Sequence, residues 1–163
     1  MAEYQGMRVE ISEDPHREPI PATELADFLR YFRAAYVAVL MTHSVGNQAT
    51  DIGSYENVDR PLADDLARMV GKAGPYHGMQ FLRLTARHVP VDVGIARISY
   101  NSPLQMVLTG IPVALTAAVI LSGGEFRLDG IVRVKLPPLG TGIAKLREAF
   151  GMKPRRPRQK HKR

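Results

Sequence analysis

The chain has 163 residues and no cysteine, which excludes disulfides, zinc–thiolate sites and cysteine nucleophiles. Apolar residues make up 45% of it, enough to build one core at this length. Its net charge of +6 is unevenly placed: residues 152–163 hold seven of the 22 Lys and Arg residues, leaving 15 to face all 16 acids. The body is therefore close to neutral, and its composition shows no basic face of the kind a folded nucleic-acid binder carries.

The opening residues Met1-Ala2-Glu3-Tyr4-Gln5-Gly6 lack the charged and apolar regions of a secretory leader. Ala2 excludes myristoylation, and the lack of cysteine excludes prenyl and palmitoyl anchors. Met7, Val9 and Ile11 alternate with Arg8, Glu10 and Ser12, the period of a half-buried strand. Pro21 suits a first helical position, and Leu25, Phe28, Leu29, Phe32, Tyr36, Val39 and Leu40 follow at helical spacing. Residues 43–60 read as a polar loop, and 61–71 as a short helix opening at Pro61 and closing near Gly71. A Gly/Pro loop is expected over 74–78. Leu82, Leu84 and Ala86 then alternate with Arg83, Thr85 and Arg87 as a second strand, and 93–100 gives a third.

From Ile98 to Gly124 no residue is charged, and Leu104 to Ser122 is almost continuously apolar. Nineteen such residues approach the roughly 20 needed to span a bilayer. Pro112 in the middle is better tolerated in a membrane helix than in a soluble one. The expectation is a membrane-inserting helix. The alternatives are a buried central helix, or two short strands broken at Gly110-Ile111-Pro112. Gly110, Ala114 and Ala118 fall four apart. They read either as a close-packing face for a second copy of the chain or as the ordinary small residues of an apolar helix.

Glu125 to Leu136 reads as a hairpin around Asp129-Gly130. Ile143, Leu146 and Phe150 mark a last helix ended by Gly151. The fold expected is α+β: a small sheet with helices on one face over residues 1–101, an apolar segment at 102–124, a hairpin and helix at 125–151, and a disordered tail at 152–163.

No catalytic motif stands out. His16, His43, His77, His88 and His161 lack metal-ligand spacing, and Gly71-Lys72 lacks the glycine and Ser/Thr partners of a phosphate loop. Gly140-Thr141-Gly142 and Asp64-Asp65 read as helix-entry residues. No cofactor is implied. An enzyme whose site escapes motif reading is a third hypothesis, since fold alone never excludes function.

The tail is the one evident binding element. Lys153, Arg155, Arg156, Arg158, Lys160, Lys162 and Arg163 form a polyanion-binding set without any acid. An anionic membrane surface attracts each such charge by about 1 kcal/mol. Nucleic acid is the second candidate, because no aromatic residue in the tail is present to stack on bases.

Arg97-Ile98-Ser99-Tyr100-Asn101-Ser102-Pro103-Leu104, the Gly-Gly-Glu-Phe-Arg-Leu stretch after the apolar segment, and Pro137-Pro138-Leu139-Gly140 together resemble an uncharacterised family of small bacterial membrane-associated proteins. The resemblance covers about residues 95–150. It implies membrane association and a bacterial origin, and no activity. The leading expectation is thus a non-enzymatic, membrane-associated interaction module with an unidentified protein partner and a cytoplasmic tail. The alternative is a nucleic-acid-associated protein whose apolar segment is core.

Overall fold

The computed structural model describes residues 6–12, 20–42, 58–84, 91–100, 103–128 and 132–152. The elements are β1 (Met7–Ile11), α1 (Ala22–Thr42), α2 (Arg60–Leu84), β2 (Gly94–Tyr100), β3 (Leu104–Thr109), α3 (Pro112–Leu121), β4 (Glu125–Leu128), β5 (Val132–Leu136) and α4 (Leu139–Ala149). The strands form one mixed sheet in the order β2-β3-β1-β5-β4. β1 lies at its centre, antiparallel to β3 and parallel to β5. The expected α+β class, with helices on one face of a sheet, is the observed one.

The alternations in the sequence set the sheet's inner face. Met7, Val9 and Ile11 are buried, as are Leu104, Met106 and Leu108, and Val134 and Leu136. They pack under Phe28, Phe32 and Tyr36 of α1 and join residues of all four helices in a single core.

The apolar run of 104–122 is not a membrane helix. Its first six residues are β3, in which Gln105 and Thr109 are outward positions of the alternation rather than interruptions of a helix. The chain then turns at Gly110 and Ile111. Pro112 opens α3 at a helical N-terminal position, where its missing N–H breaks no bond. α3 has ten residues, about 15 Å at helical rise, half the thickness of a bilayer's hydrocarbon core. Among the described residues no helix is long and apolar enough to cross a membrane. A helix apolar on every side must be enclosed. Here α1 and α2 enclose it, and only a short helix has to be covered.

Two other expectations change. The second helix runs 25 residues, through Gly71, Gly74, Pro75 and Gly78, to Leu84. Gly74 and Gly78 are contact residues rather than loop residues: a Cβ on either would collide with the backbone of Ala149 or Phe150 where α4 ends, whereas Gly71 faces open space. Leu82 and Leu84 are consequently helical, not a strand. The segments expected as separate units also share one sheet and one core: β3 comes from the apolar run, and β4 and β5 from the hairpin beyond it. Of the loop expected over 43–60, residues 43–57 lie outside the described residues and α2 already begins at Arg60; residues 85–87, the Asp129-Gly130 turn and the tail from Lys153 also lie outside the described residues.

The helix ends follow local chemistry. Asp59 Oδ1 accepts the Leu62 N–H at 3.0 Å and caps α2. α3 and α4 both close with a positive-φ glycine, Gly123 and Gly151. The Gly124 N–H then returns to Val119 O, and the Met152 N–H to Arg147 O, satisfying carbonyls that would otherwise be orphaned. α1 is pinned to the rest of the sheet through polar contacts. Tyr36 donates its hydroxyl to Val91 O at 2.7 Å and accepts the Ile111 N–H at 3.0 Å. Arg33 grips Asp92 through Nε and Nη2 at 2.6 to 2.9 Å. One helix thereby holds both the start of β2 and the corner between β3 and α3.

Candidate polyanion-binding face

Among the described residues the sheet's other face carries no helix, and the register fixes which of its residues become neighbours. Arg97 on β2 pairs with Val107 on β3, and Val107 with Arg8 on β1. Arg8 pairs with Arg133 on β5, whose partner on β4 is Arg127. One transverse row therefore reads Arg97, Val107, Arg8, Arg133, Arg127 across all five strands. At about 4.8 Å between strands the row is about 19 Å long. The next row reads Ser99, Gln105, Glu10, Lys135, Glu125. In that row Lys135 has an acid on either side.

The two rows differ in electrostatics. Opposite charges on neighbouring strands support a sheet, whereas like charges directly opposite one another weaken it. Arg8 and Arg133 are such a like pair. Both are exposed, and among the described residues no ion pair involves Arg8, Arg97 or Arg133. Their charges are open to an external anion. They line a concavity of about 520 Å³ together with Glu10, Ser99, Gln105 and the apolar Val107. Guanidinium groups bind phosphate and carboxylate oxygens bidentately, and the exposed Gln105 amide adds a donor beside them. Among the described residues no aromatic ring lines the concavity, so they supply charge but no stacking platform.

The motifs singled out in the sequence fall elsewhere. Asp64 and Asp65 lie in the first turns of α2 and pair with Arg60 and Arg68. Gly71-Lys72 is interior to α2. Gly140, Thr141 and Gly142 form the first turn of α4, where Gly142 allows Phe28 to pack closely. Of the histidines only His77 is described, exposed on α2. Among the described residues no three His, Cys, Asp or Glu side chains gather as a metal site.

Gly110, Ala114 and Ala118 do not form a shared outer face. Gly110 precedes the helix, and its missing side chain makes room for the Tyr36 ring. Ala114 and Ala118 are wholly buried within the chain's own core. Their smallness serves the packing of α3 inside one protomer. The tail set, Lys153 to Arg163, lies outside the described residues.

Sequence reasoning missed the arginine row. The body's near-zero net charge suggested that no basic face existed, yet the acids are dispersed while three arginine side chains converge. Comparisons with protein-family models, curated proteins and solved structures give no match.

Proposed function

We propose that the protein is a non-enzymatic binding module that engages the phosphate backbone of a nucleic acid across its open sheet face. The observation carrying this reading is the row of Arg97, Arg8 and Arg133 lining one concavity, with no described acid paired to them. A linear run of guanidinium groups in a concave surface suits a linear polyanion. A flat bilayer suits it less, because the concavity holds the charges back from a planar surface. With no aromatic ring among the described residues of the concavity, contact is with phosphates rather than bases, so binding is indifferent to sequence and steeply salt-dependent. The seven cations of residues 152–163 add a second, non-specific attraction.

The test is fluorescence anisotropy with mixed-sequence single-stranded and duplex oligonucleotides between about 50 and 200 mM salt. The replacement of Arg8, Arg97 and Arg133 together by Ala is expected to weaken binding and flatten the log K against log salt slope by about two to three units. Removal of residues 153–163 flattens it further without unfolding the chain. A parallel arm measures co-sedimentation with phosphatidylserine vesicles. Equal oligonucleotide binding by the wild type and the triple variant refutes the reading. Binding to vesicles with none to oligonucleotides transfers the role to an anionic membrane surface.

A further inference from the structure

The sheet's two edges are treated differently. β4 has four residues, begins with Glu125, and has the Arg60 guanidinium stacked 4.0 Å over its Phe126 ring. Charge and shortness are ordinary ways to blunt an edge. β2, at the other end, has seven residues and a single charge, Arg97. Ile95, Ile98 and Tyr100 pair with the buried Leu108, Met106 and Leu104, so they lie on the helix-covered side of the sheet. The helices stop short of them, however, and they remain 45%, 51% and 54% exposed. A long edge strand with an uncovered apolar stripe is a template for pairing.

The stripe is self-complementary. Between Ile95 and Arg97 the β2–β3 register shifts by one residue. In an antiparallel β2–β2 pair centred on Ile98, Ile98 meets its own symmetry mate. The extra residue of the bulge then lets Ile95 face Tyr100 of the second copy, so all three apolar side chains match apolar partners. On the open face Arg97 lies opposite Ser99 of the second copy, so no like charges meet.

We infer that β2 pairs antiparallel with β2 of a second copy of this chain, joining the two sheets across a two-fold axis at Ile98. Two seven-residue strands with their apolar stripes interlocked cover on the order of 1,000 Å² in all, the lower bound for a specific interface. The dimer is accordingly weak and concentration-dependent. The inference rests on the edge strand alone and is independent of the polyanion reading.

Sedimentation velocity over a concentration series reads the association directly. The wild type is expected to dimerise, and Ile98→Lys to weaken dimerisation by at least about tenfold, since one central position is altered in both copies. A second measurement uses the chain's lack of cysteine. Ile98→Cys places two thiols opposite each other on the axis, within disulfide reach across paired strands. It should crosslink on mild oxidation, while Tyr76→Cys, on the exposed surface of α2, should not. A wild type that stays monomeric throughout, a folded Ile98→Lys variant that dimerises undiminished, or equal crosslinking through residues 98 and 76 overturns the pairing.

Discussion

The inner and outer faces of the sheet come from the same five strands, yet they do different work. Inward residues such as Val9, Ile11, Leu108 and Leu136 are almost wholly removed from water and lock the strands to α1 and α3. Outward residues such as Arg8, Gln105 and Arg133 are exposed. Stability accounts for the inner face, because each buried aliphatic side chain contributes about 1.5–3 kcal/mol. It does not account for the arginine row, in which neighbouring cations oppose strand pairing. A face whose composition the fold does not require is the better place to look for a ligand.

That contrast has measurable consequences. The largest belongs to the inner face. Leu108→Ala empties a fully buried position between β2 and β1 and is expected to cost about 2–5 kcal/mol, read by urea denaturation. Ala114→Leu overfills the space around α3 and should cost about 1–3 kcal/mol, with a lowered thermal midpoint and no specific change in association. The smallest effect belongs to the outer face. Arg8→Gln removes one of two facing cations and should leave stability within about 0.5 kcal/mol of wild type, while oligonucleotide affinity falls. A large loss of stability from Arg8→Gln would show that the row is structural after all.

Local pattern made much of the fold legible. Strands β1 and β2, the apolar face of α1, the β4–β5 hairpin and the Gly151 stop of α4 all follow from periodicity and end signals within a few residues. Where meaning depended on distant contacts, reading failed. Gly74 and Gly78 look like loop residues until α4 is seen lying against them. A count of uncharged residues cannot separate one 19-residue helix from a strand followed by a helix. The signal available was Gly110 ahead of Pro112, together with the outward spacing of Gln105 and Thr109. The arginine row was hidden for the same reason. Arg8, Arg97 and Arg133 become neighbours only through pairings between strands about a hundred residues apart in the chain.

The central place of β1 also orders events in time. Residues 7–11 are translated about a hundred residues before their partners at 104–108 and 133–136. The pairs β2–β3 and β4–β5 are sequence-local and can zip as soon as they exist. β1 must wait for both partners, and then pair between two strand pairs that can already carry the outer strands. Such late, long-range closure is slow, and while it waits two apolar sheet edges stand open to aggregation or to a chaperone. The nascent chain's most vulnerable interval thus begins with β3 and ends only when β1 has closed the gap between β3 and β5.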